Sequence, residues 1–223
     1  MSDVPRQTGG SGPDLAAMRV RYVPGPLHEA DVTAEPAEQF RRWLADAVTA
    51  GLPEPNAMVL ATSTAQGRAS TRVVLLKELD DRGFVFYTNT GSRKAAEIEA
   101  NPRASLCFPW FPMARQVLVE GPVEPVARDV AHAYWATRPR ESQLGAWASA
   151  QSEPIDSREA LAARLTKVSE RFGDGPVPLP QRWGGYRVVP EVVEFWQGQP
   201  GRLHDRLRYR LAAGAWTLDR LQP

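Results

Sequence analysis

Arg202, His204 and Arg206 fall at every second position near the end of the chain, following the turn-like stretch Gln197-Gly198-Gln199-Pro200-Gly201. In an extended segment alternate side chains share a face, so these groups are expected to point the same way. Their mutual repulsion has to be offset, which an anionic ligand or carboxylate partners would do; a solvated strand face is the plainer reading. Trp196, just before the turn, offers a flat apolar wall beside them.

Three earlier stretches could also hold anions. Arg72-Val73-Val74-Leu75-Leu76-Lys77 places a cation at each end of an apolar strand, and the odd separation puts the two on opposite faces. They could serve two different anions, or one could simply lie at the surface. Tyr87-Thr88-Asn89-Thr90-Gly91-Ser92-Arg93-Lys94 runs from strand through loop to helix start. Its hydroxyls, free backbone N–H groups and paired cations make a phosphate cradle, without the glycine spacing of a P-loop. Tyr134 and Arg138 are four apart and share a helix face if the helix reaches that far, with Ser142 beyond Pro139. A guanidinium fork suits phosphate. A basic helix end complementing its own dipole, or a solvated charge pair, is the bland alternative.

The elements that must position these groups read from periodicity. Glu35 to Ala50 has helical spacing, with Phe40, Trp43, Leu44, Ala47 and Val48 on the apolar side, and Gly51-Leu52-Pro53 ends it. From Ala57 the period becomes two. Strands are expected at Met58–Thr62, Ser70–Leu79, Phe84–Thr88, Arg103–Trp110 and Gln116–Glu124, with a short helix over Ser92–Ala100. Helix with breaks follows over Ala127–Gln151, then an amphipathic helix over Ser157–Phe172. Strands at Gly184–Val189, Val192–Trp196, Leu203–Tyr209 and Ala215–Leu218 close the sheet. Short strands with interposed helices imply an α+β fold built on a closed antiparallel barrel. Residues 1–17 are Gly/Ser/Pro-rich and are expected to form a disordered tail; residues 18–223 form one domain.

Net charge is +1, aromatic and basic residues do not interleave, and nucleic acid is not an expected partner. No apolar run is long enough to span a bilayer, and the N-terminus lacks a signal-peptide core. Three histidines and one cysteine do not furnish a zinc set. Cys107, in an apolar run, is expected to be an inert buried thiol; having no partner for a disulfide, it fits a reducing, cytoplasmic location.

The stretch Glu194–Arg206, together with Arg72–Lys77, Tyr87–Lys94, Tyr134–Ser142, Gly145–Ser152, Trp183–Arg187 and Asp219–Pro223, closely resembles the pyridoxine/pyridoxamine 5′-phosphate oxidases. The resemblance spans Arg19 to Pro223. It implies a split β-barrel of the FMN-binding type with peripheral helices. It further implies oxidation of pyridoxine 5′-phosphate and pyridoxamine 5′-phosphate by dioxygen, and a homodimer with its flavin sites between subunits. By that resemblance, Arg72, Val73, Val74, Leu75, Leu76, Lys77, Tyr87, Thr88, Arg93, Lys94, Gln116, Gln151, Ser152, Trp196 and Arg206 would contact flavin mononucleotide (FMN). Gln116 and Gln151 would supply amides to the isoalloxazine edge. Lys77, Tyr134, Arg138 and Ser142 would hold the substrate phosphate. Arg202, Leu203 and His204 would meet its ring, Arg202 and His204 in the catalytic role, and Arg19 and Tyr22 would lie near it on an N-terminal flap. A flavin or deazaflavin reductase on the same barrel, or a non-catalytic carrier of FMN or pyridoxal phosphate, remain the rivals; the presence of both ligand sets favours the oxidase.

Overall fold

The computed structural model describes Met18, Tyr22 and residues 25–223. The expected tail and Arg19 lie outside the described residues. Among the described residues, ten strands form one antiparallel sheet: β1 (Ala57–Ser63), β2 (Ala69–Leu75), β3 (Glu78–Asp80), β4 (Gly83–Asn89), β5 (Arg103–Trp110), β6 (Arg115–Pro125), β7 (Trp183–Val188), β8 (Val192–Gln197), β9 (Asp205–Ala212) and β10 (Ala215–Arg220). Five helices flank it: α1 (Pro36–Thr49), α2 (Arg93–Ala100), α3 (Arg128–Thr137), α4 (Arg140–Ala148) and α5 (Arg158–Phe172).

The main path runs β10-β9-β8-β6-β5-β1-β2, and β3, β4 and β7 branch from it. The sheet curls because β2 continues through Leu76 and Lys77 into β3, β3 pairs with β4, β4 with β7, and β7 with the last residues of β6. Strand β6 therefore changes partner along its length: Arg115–Glu120 pair with β8, and Val123–Pro125 with β7. Gly121 sits at the switch. A β-carbon there would lie 1.8 Å from the Val189 carbonyl oxygen, a backbone atom, so only glycine lets the connection between β7 and β8 cross so close. Gly121→Ala is expected to destabilise the protein by about 3 kcal/mol, as overpacking against an immovable neighbour does. Urea unfolding measures it, and an unchanged midpoint would contradict the close crossing.

The core is aromatic where α1 plugs the barrel. Phe40 meets Phe84 at 5.0 Å and Phe108 at 4.7 Å between ring centres, edge to face. Phe40, Trp43 and Ala47 are buried as the helical spacing required, whereas Val48 is exposed. The apolar stripe of α5 is also left largely open, with no buried residue on that helix.

Two expectations about strands are corrected. The run Ser70–Leu79 is not one strand: the Leu76 amide donates to Asn56 O and the Lys77 amide to Val85 O, so the chain leaves β1 for β4 there. Arg72 and Lys77 consequently do not serve opposite faces; both line one cleft. Nor do Arg202, His204 and Arg206 alternate along one strand. Gly201 and Arg202 both have φ of +66°, Pro200–Arg202 form a tight turn, and β9 begins only at Asp205. Two consecutive left-handed residues reverse the backbone and cancel the period of two.

Candidate functional site

A cleft of about 840 Å³ opens between β2, β4 and the α3–α4 helical pair. It is lined by Arg72, Val73, Val74, Leu75, Lys77, Tyr87, Thr88, Lys94, Tyr134, Arg138, Ser142, Gln151 and Trp183, among others. Lys94, on the first turn of α2, is buried with three neutral oxygens as partners: Gln151 Oε1 at 2.7 Å, Thr88 Oγ1 at 3.2 Å and Ser92 Oγ at 3.4 Å. Burial, with the Arg72 charge adding to it, holds its ammonium below the usual lysine range. Gln151 stands beside Lys94 and Thr88, its Oε1 accepting from both. Ser152 takes a positive φ of 76° and its hydroxyl accepts the Arg93 amide at 3.1 Å. It satisfies a helix-start N–H that Ser92, whose side chain makes no capping bond, leaves open.

Beneath Arg72 lies a carboxylate that sequence reasoning passed over. Glu97 is buried on α2 and accepts from Thr62, Ser70, Arg72 and Arg93. Burial opposes its charge, yet the Ser70, Thr62, Arg93 and Arg72 hydrogen bonds pull it down to about 2. The spacing of Arg93 and Glu97 on one helix was the available signal.

At the other wall Tyr134 stacks on Tyr87, 4.1 Å between ring centres and 8° between planes, and Trp183 lies parallel to both. The Arg138 guanidinium sits over the rings of Trp135 and Trp183 at 5.1 and 4.9 Å. Helix α3 stops at Thr137, so Arg138 is its first extended residue, yet it still faces the cleft that Tyr134 and Ser142 line. Its Nη1 is buried without a hydrogen-bond partner among the described residues, and burial lowers its pKa. Lys77, Lys94 and Arg138 have no carboxylate within ion-pair distance among the described residues. A cleft with three such cations is built for anions.

The remaining candidates lie elsewhere on the chain. Gln116 pairs across the sheet with Trp196, and Trp196 with Arg206, which sets the three in one lateral row on one face. Arg206 is held by the buried carboxylate of Glu194, at 2.7 and 3.0 Å, a partner identifiable only once β8 and β9 are paired. That ion pair supplies the offset that the basic stretch required. His204 packs on Trp196 at 4.7 Å, with Tyr22 edge-on to both rings. Arg202 and Leu203 are exposed on the turn. None of Gln116, Trp196, Arg202, His204 and Arg206 lines the cleft.

His204 Nδ1 accepts the Gln199 amide at 3.0 Å, so the neutral ring carries its proton on Nε2. Burial and then the Arg202 charge hold this imidazole below its ordinary value of 6.5. The folded state therefore binds the proton less readily than the unfolded chain. Stability is full above the ordinary value and declines as pH falls through it toward the folded value. Urea melts at neutral and mildly acidic pH should show that decline, and His204→Gln should lack its share.

The family profile described as pyridoxamine 5′-phosphate oxidase matches residues 44–172. The chain belongs to that family. The pyridoxamine 5′-phosphate oxidase match is completed by the family's C-terminal dimerisation region, described under pyridoxine 5′-phosphate oxidase, over residues 183–223. The pyridoxine/pyridoxamine 5′-phosphate oxidase of Rubrobacter xylanophilus is 56% identical over 96% of this chain and 99% of its own. That of Acidothermus cellulolyticus is 53% identical over 96% and 97%. Among solved structures, PhzG from Burkholderia lata, in complex with tetrahydrophenazine-1-carboxylic acid, superposes with a TM-score of 0.85 at 35% identity, covering 90% of this chain and 99% of its own. An FMN-binding, pyridoxamine 5′-phosphate oxidase-related protein from Nostoc punctiforme, at 19% identity and a TM-score of 0.68, shares the fold. The split-barrel expectation is borne out by both. No helix of the described residues is long and apolar enough to cross a membrane.

Proposed function

We propose that this chain is the FMN-dependent oxidase of its family, converting pyridoxine 5′-phosphate and pyridoxamine 5′-phosphate to pyridoxal 5′-phosphate. Dioxygen is the electron acceptor, hydrogen peroxide the second product, and ammonia leaves from the amine. The observation that carries the reading is the anion cleft: a buried ammonium and an orphaned buried guanidinium in one cavity. Its volume lies within the roughly 300–1,000 Å³ of small-molecule sites.

The residues present fit FMN. Lys94, Thr88 and Arg72, with Arg93 at the rim, would hold its phosphate, and Val73, Val74 and Leu75 would wall its ring. FMN, when bound, supplies the hydride acceptor and the return of electrons to dioxygen. The protein's own share is orientation. Arg138, Ser142, Tyr134 and Lys77 would fix the substrate phosphate, and the neutral His204 with Arg202 would meet the substrate ring, His204 offering its Nε2 proton.

Because the row Gln116–Trp196–Arg206 and the Arg202/His204 turn are outside the cleft lining, we place them against the cleft of a second copy. A homodimer with shared sites follows, residues 18–223 acting as one unit. A cytoplasmic location accords with the reading.

The likeness to PhzG favours one second reading, oxidation of a reduced polycyclic carboxylic acid on the same barrel. A visible spectrum of the purified protein, followed by anaerobic pyridoxine 5′-phosphate, decides. Flavin absorbance that bleaches with substrate and returns with air supports the oxidase. Flavin that bleaches only with a dihydroaromatic carboxylic acid supports the second reading. A protein that takes up no added FMN overturns both.

A further inference from the structure

The turn that carries His204 has little backbone scaffolding of its own. Gly198 N–H donates to Ala114 O, the Leu203 amide reaches Pro200 O only at 3.4 Å, and left-handed Gly201 and Arg202 lie between. Side chains hold it instead. At the end of β10, Arg220 grips both Glu29 oxygens, Nε at 2.7 Å and Nη2 at 2.8 Å. The same Nη2 donates to Leu27 O at 2.7 Å, and Nη1 to Asp205 Oδ1 at 2.6 Å. The other Asp205 oxygen accepts the Leu27 amide at 3.1 Å and Gln199 Nε2 at 2.8 Å. Gln199 Nε2 also donates to Gly25 O at 3.0 Å, and the Gln199 backbone N–H ends the series on His204 Nδ1.

We infer that Arg220 and Gln199 are positioning residues: through Asp205 they clasp the N-terminal segment 25–29 to this turn and aim the Gln199 amide at His204 Nδ1. The inference rests on the proposed placement of His204 at the substrate. One chain of bonds then sets two things together. It fixes the Nε2–H form of His204, because an amide donor already occupies Nδ1. It also fixes the segment from Gly25 onward beside Gly198, the glycine on which the Tyr22 ring lies and where a β-carbon would come within 2.9 Å of that ring. Arg220 is the keystone since each of its three nitrogens is spent on the clasp, and no lysine could replace that fork. Among the described residues, Arg202 of the same turn is the charge that acts on the imidazole, the Tyr22 ring meets it edge-on, and Trp196 of β8 covers one side.

The test uses FMN-loaded Arg220→Met and, because Arg220 ties distant segments and its loss could unfold them, the more local Gln199→Met. A scalar coupling between the Gln199 backbone nitrogen and His204 Nδ1, carried across the hydrogen bond, reads the clasp directly by NMR. In both variants that coupling should vanish and His204 should titrate closer to its ordinary value. kcat should drop about tenfold, as modest misplacement of a reacting group costs, with FMN affinity and KM unchanged. A coupling and kcat that persist in Gln199→Met overturn the clasp. A lost coupling with unchanged kcat keeps the clasp and overturns the placement of His204 at the substrate.

Discussion

Lys94→Met is expected to give a folded protein that no longer retains FMN. The ammonium is desolvated, has only neutral oxygens as partners and stands near Arg72, so the free protein gains little from it. An apolar side chain of similar length removes that strain, and unfolding midpoints should stay level or rise. The bound phosphate, by contrast, loses a buried charge-assisted contact of about 3 kcal/mol, roughly a hundredfold in Kd. Fluorescence titration of the apoprotein with FMN measures it. Arg93→Ala should do far less, since that side chain is 63% exposed and already paired with Glu97. Equal losses in the two variants would put the phosphate at the rim instead of against Lys94.

Arg138→Leu is expected to leave flavin in place and raise KM for pyridoxine 5′-phosphate about a hundredfold, from a loss of about 3 kcal/mol. Its guanidinium lies over two indole rings with Nη1 unpartnered, a poor arrangement for an empty protein and a good one for a phosphate oxygen. Removing an unsatisfied buried donor should not lower stability. Arg138→Lys should recover little, because a point charge neither forks nor stacks on indole. Steady-state kinetics on flavin-replete enzyme separates the cases; unchanged KM, or flavin loss in place of a KM effect, would reassign the cation.

Where local pattern decides structure, the sequence was readable. Strand β5 is Arg103–Trp110 as its alternation required, and α1 buries Phe40, Trp43 and Ala47 as helical spacing required. Tyr134, Arg138 and Ser142 could be grouped because they are near neighbours along the chain, and the cleft brings them together. Where tertiary pairing decides, it was not. Glu194 becomes the partner of Arg206 only through the β8–β9 register, and Gln151 reaches Lys94 from 57 residues away, beyond two strands and two helices. The turn at Gly201 failed for a different reason: Arg202, which is not glycine, adopts a left-handed conformation that residue type alone argues against. Trp183 stood in a recognised motif, but nothing in its neighbours announced the stack with Tyr87 and Tyr134.

The change of partner along β6 carries a consequence for biosynthesis. Phe84 of β4 waits for Val188 of β7, and Val117 of β6 waits for Phe195 of β8, so neither barrel nor extension can close on the ribosome until the last fifth of the polypeptide has emerged. Until then the edge of β4 away from β3 and the edge of β6 away from β5 are unpaired, apolar and competent to pair with another chain. Ordering so remote in sequence slows the search for the native state. A nascent chain stalled before Trp183 should thus remain protease-sensitive and chaperone-dependent, and release of the final strands, not synthesis of the flavin cleft, should time the appearance of a protein able to bind its cofactor.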